Sequence, residues 1–409
     1  MTDDTPRNGR AAFRFRDFRF YVSSRFLWTL GLQIMGVATS WFVYEQTQDP
    51  LALGLIGLAT FLPSIPLSLI TGPAADRYDR RMIIIIACLT MATCAAVIVF
   101  LTGLGLVWPI YGAVIVLGSA RAFSNPAGQA LMMSIIPDNE YTSAVSWNNS
   151  ITQVATIVGP GVGGLLYPLG PSVPFGVALV LFLLAVGLAW SIEARDKKGV
   201  KPPVTLSMLL AGYRYIWSKP VILGSITLDL VAVLIGGATA LLPIYAHEIF
   251  LAGPWALGVL RSTPSVGSLI AALVFANFPL RRFTGKVMLA CVFVYGLATV
   301  GFGLSTNMFV AMFFLAVIGA SDMISVVIRQ TFIQVETPNE MRGRVIAVHT
   351  ILTGTSNQLG EFESGTLAHF VGAVNAVVIG GVGAMAATAL WTRLFPELRD
   401  RDTFEPPKS

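Results

Sequence analysis

Charge is what this 409-residue chain has least of. Asp, Glu, Lys and Arg make up 12% of it, about half the share of an ordinary soluble domain. Hydrophobic residues make up 55%, and the mean hydropathy is +0.71. So apolar a chain is not disordered, and it has too little polar surface to cover its apolar mass as a soluble enzyme. Cysteine is scarce too. Cys88, Cys94 and Cys291 each sit inside an apolar run, without metal-ligand spacing or a disulfide framework. They read as small packing residues. No phosphate-binding P-loop occurs: Gly285-Lys286 lacks the preceding glycine, so ATP drive is not expected. Neither H-E-x-x-H nor G-x-S-x-G is present, which leaves a hydrolase no visible chemistry. No enzyme activity, cofactor or metal is expected. What remains is an all-α polytopic membrane protein.

The net charge of +5 and pI of about 9.2 would also fit nucleic-acid binding, but the placement of the charges assigns them to membrane orientation. Residues 1–19 are polar and basic, with no cleavage site behind the first apolar segment, so the N-terminus is not a cleavable signal. The alternating Phe and Arg from Phe13 to Phe20 read as an interfacial anchor, rings at headgroup depth and guanidiniums toward anionic lipid.

A bilayer core of about 30 Å needs about 20 apolar helical residues. Twelve segments meet that need: 20–45, 51–75, 82–104, 107–136, 141–168, 172–192, 220–250, 254–278, 286–305, 308–336, 343–370 and 373–395. Of the 27 Lys and Arg, 24 fall in the N-terminal stretch up to Arg25, the loops after spans 2, 6, 8 and 10, and the C-terminal tail. The opposite set of loops has none. By the positive-inside rule both termini are cytoplasmic. The one long hydrophilic connection, 193–219, carries basic residues, Pro202-Pro203 and an amphipathic stretch from Thr205 to Trp217. It reads as a cytoplasmic linker with a surface helix.

Sliding the chain on itself by 201 residues aligns its punctuation. Gly36 meets Gly237, Pro63-Ser64 meets Pro264-Ser265, Arg80-Arg81 meets Arg281-Arg282, Gly118 meets Gly319, and Trp190 meets Trp391. The expected organisation is two parallel-related six-helix bundles, 1–192 and 220–395, with a cytoplasmic tail at 396–409. A substrate site between such repeats is a transporter architecture.

The stretch Gly72-Pro73-Ala74-Ala75-Asp76-Arg77-Tyr78-Asp79-Arg80-Arg81 resembles the G-x-x-x-D-R-x-G-R-R signature of the major facilitator superfamily, with Asp79 in place of the usual Gly. Asp49-Pro50-Leu51-Ala52-Leu53-Gly54, Arg342-Gly343-Arg344-Val345 and the run from Asn357 to Gly365 look like its drug and siderophore exporter branch. The resemblance covers essentially the whole chain. Gly159-Pro160-Gly161-Val162-Gly163-Gly164 also fits the dinucleotide pattern, but it sits inside an apolar helix rather than after a strand. It is better read as close helix packing with a proline bend, and it resembles the antiporter signature, which implies export by exchange. In the signature loop, Gly72, Asp76, Arg77, Arg80 and Arg81 are expected to form a gate, with Asp76 capping span 2 and pairing with Arg80 or with span 11. An exposed pair worth about 0–1 kcal/mol suits a reversible latch.

A charge at bilayer depth costs at least about 2.5–3.5 kcal/mol and needs a reason. Seven occur: Arg121, Asp229, Arg261, Asp322, Arg329, Glu361 and Glu363. Arg121, Asn125 and Gln129 share one helical face. Asp229 lies near mid-span with no base in its own span; an unpaired buried carboxylate suits proton uptake and release. Asp322 and Arg329 share a face about 10.5 Å apart, too far for a direct pair. By the repeat Asp322 is the counterpart of Arg121, and the two are candidates to pair across the halves. Glu361 joins Thr350, Thr353, Asn357 and Ser364 in a polar stripe, whereas Glu363 points to a neighbouring helix. Arg261 is expected to neutralise Glu361 or Glu363, or to hold an anionic substrate. His247 and His369 read as interfacial residues.

These residues make Asp229, Glu361, Asp322 and Glu363 the candidate proton-coupling sites. Arg121, Arg329, Arg261, Asn125, Gln129 and Asn357 are the candidate substrate or counter-ion sites. The expectation is a proton-antiporting exporter of a small amphipathic molecule, siderophore or drug-like, in the bacterial cytoplasmic membrane. Its partners would be a small-molecule substrate, protons and the lipid bilayer, with no nucleic acid, and it would act as a monomer. A proton-coupled importer and a non-transporting scaffold or sensor are the alternatives; a scaffold gives no reason for the cost of the buried charges.

Overall fold

The computed structural model describes residues 11–193, 206–278, 280 and 282–404. Among them there is no strand. Lipid offers the backbone no hydrogen bonds, so each apolar run satisfies its own by forming a helix. All twelve expected spans are helical. Eight of the helical stretches are long and apolar enough by themselves to cross a membrane. Of the rest, α5 (Trp108–Ile135), α6 (Tyr141–Leu166) and α14 (Asn339–Val371) are more polar, and one span is broken into two short helices. The broken span is split at Leu62-Pro63 into α2 (Pro50–Phe61) and α3 (Ser64–Arg77). A second break ends α9 (Pro220–Ile235) at Gly236-Gly237. A 3-10 turn, the three-residue α10 (Leu242–Ile244) and a π-helical turn over Tyr245–Ile249 complete that span.

The chain divides into two compact units. The first holds described residues 11–38 and 63–193, and the second holds 39–62 and 206–404. The division cuts α1 (Arg16–Thr47) after Ala38. By the repeat, 39–62 belongs to the first half, yet its packing places it in the second unit.

In the first unit α4 (Arg80–Gly103) packs on α5 and on α7 (Val173–Trp190), and α3 packs on α5. Helix α6 approaches α1 through glycine: a Cβ at Gly159 would lie 2.5 Å from Gln33 Cβ, and one at Gly163 2.9 Å from Ile34 O. Bare Cα faces of this kind let helices touch in lipid, where no hydrophobic effect drives them together.

In the second unit α13 (Met308–Glu336) packs on α11 (Pro254–Asn277) and α12 (Thr284–Gly303), and α15 (Ala373–Leu394) packs on α12. Helix α14 runs between α9, α2 and the linker helix α8 (Leu206–Trp217). The α11–α13 contact is backbone on backbone: a Cβ at Gly319 would lie 1.9 Å from Pro264 O, and one at Gly267 2.0 Å from Ala316 O. Helices α4 to α7 and α12 to α15 begin within three residues of the positions that an offset of 201 assigns.

The C-terminal segment is not a free tail through residue 404. Leu398, in α16 (Pro396–Arg399), is fully buried with Val221, Met288 and Phe332. Arg401 pairs with Glu336 at 2.5 Å, both nearly enclosed. The backbone of Thr284 and Gly285 donates to Asp402 O and Arg401 O.

Candidate functional site

A charge cluster sits inside the second unit, built from four helices. Helix α9 supplies Asp229, α13 supplies Asp322 and Arg329, α14 supplies His349, and α12 supplies Tyr295. Arg329 is 1% exposed and Asp229 5%. Their side chains meet at 2.5 Å between Nη1 and Oδ1. This corrects the expectation of an unpaired Asp229. Its partner comes from another span, which a search for bases within its own span does not find.

Arg329 Nε donates to His349 Nε2 at 3.1 Å, so that nitrogen carries no proton and the ring is neutral. Asp322 lines the same cavity as Asp229, Tyr295 and Ser325, a space of about 10 Å³, room for roughly one water. No ion pair or hydrogen bond joins Asp322 to a described residue. It also makes no direct pair with Arg329, as their spacing requires. The cluster thus holds two carboxylates and one guanidinium. With both acids ionised it carries a net negative charge, with Asp229 buried and Asp322 half-buried.

A second network gathers around residues 39–62, also within the second unit. Arg261 Nη1 donates to Ser40 Oγ at 3.1 Å, and Glu361 is the carboxylate whose charge acts on Arg261. Helix α2 presses on α14 here: a Cβ at Gly57 would lie 2.7 Å from Glu361 Cβ and 3.0 Å from its Oε2. Glu363 accepts a hydrogen bond from Ser364 Oγ at 3.4 Å. Tyr44 donates its hydroxyl to Glu248. Asp49 caps α2 by accepting from Leu51 N, and it also meets His369 Nδ1 at 2.8 Å. His247 packs edge-on against Trp41 and Tyr44. Asn357 is exposed on α14, its amide donating to Thr353 O.

In the first unit, Arg121 and Gln129 are exposed and Asn125 half-buried along one face of α5. The signature loop is a set of helix-end ties. Asp79, standing where the family pattern has Gly, caps α4 by accepting from Arg81 N and Met82 N. Arg80 donates to Ala75 O at 3.2 Å and Ala130 O at 3.3 Å. Arg81 donates to Trp190 O and lies over the Trp190 ring. Arg77 is exposed, and a Cβ at Gly72 would meet nothing within 4 Å. The Asp76 side chain, and with it the expected latch, lies outside what the structure describes. Pro160 and Gly164 are buried beside Gly159 and Gly163 on α6.

His349 is the site residue that sequence reading missed. Thr350 and Thr353 beside it mark a polar stripe, but only contact with Arg329 marks the histidine.

The fold and the buried charges define a membrane transporter. The family model of transmembrane secretion effectors matches residues 8–406, so the chain belongs to that family, within the major facilitator superfamily. It is similar to the multidrug efflux pump Tap of Mycobacterium tuberculosis (strain ATCC 25618 / H37Rv), 27% identical over 385 residues, 90% of each chain. It is also similar to the enterobactin exporter EntS of Citrobacter koseri, 25% identical over 393 residues, 93% of this chain and 92% of that one. Among solved structures, the inward-facing bacterial homologue of the human lysosomal transporter Spinster superposes with a TM-score of 0.75 at 13% identity, covering 97% of this chain and 99% of that one. The nucleoside transporter NupG gives 0.74 at 12% identity, covering 93% and 99%. These likenesses are of fold. The chain is a multi-pass transporter, not an enzyme; its family implies a small-molecule substrate and a place in the bacterial inner membrane.

Proposed function

We propose that this protein exports a small amphipathic organic molecule, drug-like or siderophore-like, in exchange for protons. The six-helix halves 1–192 and 220–395 alternate access to a central site, and both termini are cytoplasmic. The observation that carries the coupling is the pairing of Arg329 with Asp229 while Asp322 faces the same water-sized cavity without a partner. A single guanidinium neutralises one carboxylate; the other is neutral only with a proton on it. Asp322 therefore takes the role that the sequence first gives to Asp229. Asp229 and Arg329, with His349 behind, form the fixed countercharge. Protonated Asp322 leaves the cluster neutral and able to stay dry. Loss of that proton leaves an uncompensated, half-buried negative charge that favours opening to water.

Export is supported by the printed functions of the two relatives, an efflux pump and an exporter, and by the buried Gly-Pro stretch of α6. Glu361 beside Arg261 is the second candidate for proton coupling. Arg121, Asn125 and Gln129, on an accessible face of α5, are the candidates for substrate contact. The protein works as a monomer.

The test uses everted membrane vesicles with an acidified lumen and a panel of lipophilic drugs and siderophores. Proton release on adding a compound, absent from vesicles without the protein, supports proton-coupled export. Accumulation of a compound in right-side-out vesicles, driven by an inward proton gradient, would make the protein an importer instead.

A further inference from the structure

The linker helix α8 has two unlike faces. One is docked. Ile216 is buried in a cluster with Ile222, Ile226, Ile333, Val345 and Val348. Gly212 lies so near α14 that a Cβ on it would come 2.8 Å from Arg344 O. Tyr215 donates its hydroxyl to Glu336 O, at the end of α13, at 2.7 Å. The helix thus bridges the end of α13 and the start of α14, and Val348, on which it packs, immediately precedes His349.

The other face is open. Leu210, Tyr213 and Trp217 are 59%, 48% and 62% exposed, spaced three and four residues apart on one side of the helix. The rings of Tyr213 and Trp217 lie 5.5 Å apart. Arg214 is exposed beside them, with no carboxylate partner among the described residues. Between this face and the first turn of α14 runs a groove of about 860 Å³, lined by Leu210, Tyr213, Arg214, Tyr215, Ser218 and Met341.

We propose that this groove is a binding site for an anionic phospholipid of the cytoplasmic leaflet. Arg214 holds the phosphate, Tyr213 and Trp217 lie at headgroup depth, and Leu210 and Met341 meet the start of the acyl chains. The chemistry selects that occupant. Tyr and Trp are the side chains that settle at a membrane–water boundary, with an apolar body and a polar edge. A cation next to them favours anionic over zwitterionic headgroups. The preceding sequence adds Arg195, Lys197, Lys198 and Lys201. Because the opposite face grips the start of α14, a bound lipid steadies the helix that carries His349. The inference rests on the proposed orientation, with α8 on the cytoplasmic side.

The full-length protein is reconstituted in phosphatidylcholine vesicles containing a small, equal fraction of brominated phosphatidylglycerol or brominated phosphatidylcholine. The signal of Trp217 is taken as the difference from Trp217→Phe. Brominated phosphatidylglycerol is expected to quench it with about fivefold greater apparent affinity, the preference that one basic residue at an anionic surface supplies. Arg214→Gln should bring the two lipids level. Equal quenching in the wild type would overturn headgroup recognition. Absence of quenching by either lipid would overturn the site altogether and place this face against water or a second copy. Labelling of Ser218→Cys by an impermeant maleimide, in everted but not right-side-out vesicles, tests the orientation separately.

Discussion

Arg329 is held from two sides, by the Asp229 carboxylate at 2.5 Å and by the His349 ring at 3.1 Å. Both partners come from other helices, so one guanidinium ties α9, α13 and α14 together at a point where almost no solvent reaches. In the proposed mechanism this tie leaves Asp322, on the same cavity, as the group that changes charge.

The tie makes removal of either partner costly. Asp229→Asn leaves a buried guanidinium without its countercharge and should destabilise the protein by about 3–5 kcal/mol. Asp229→Asn combined with Arg329→Gln removes both charges and should recover most of that loss. Thermal melting of the purified variants checks the pair; strictly additive losses would show that the two charges do not interact.

Glycines in this protein separate into those that bear contact and those that do not. Gly319→Ala drives a methyl into Pro264 O and should destabilise by about 1–3 kcal/mol. Gly72→Ala, at the start of the signature stretch and within α3, meets nothing within 4 Å and should be neutral or gain up to about 1 kcal/mol. Melting temperatures of the two variants decide this, and a larger loss at Gly72 would contradict it.

The pairing of Arg401 with Glu336 predicts that the docked C-terminal segment matters for stability. Arg401→Ala leaves Glu336 enclosed and unpaired, at a cost of several kcal/mol. By contrast His369→Gln, at a pair whose side chains are 44% and 37% exposed, should cost about 0–1 kcal/mol. Yields of folded protein and melting curves for the two variants should differ accordingly.

The spans were legible in the sequence because each must satisfy its own backbone in lipid, and composition alone reports that. The 201-residue repeat was legible because glycines and loop arginines mark helix contacts and ends. Pairing was not legible. Asp229 finds Arg329, a hundred residues away, and no periodicity carries that distance. The same holds for His349, which looks like one more polar residue on α14. Nor does hydropathy show that residues 39–62 pack with the second unit, because their contacts are glycine faces such as Gly54 and Gly57.

The central claim is that Asp322 carries the transported proton while Asp229 holds Arg329. Its most direct test is substrate-induced proton release from everted vesicles carrying wild type, Asp322→Asn or Asp322→Glu, each at equal membrane levels and with unchanged melting behaviour. The account predicts release from wild type and at least partial release from Asp322→Glu, but none from Asp322→Asn. Normal release from Asp322→Asn would contradict it and move the proton to another carboxylate, Glu361 first.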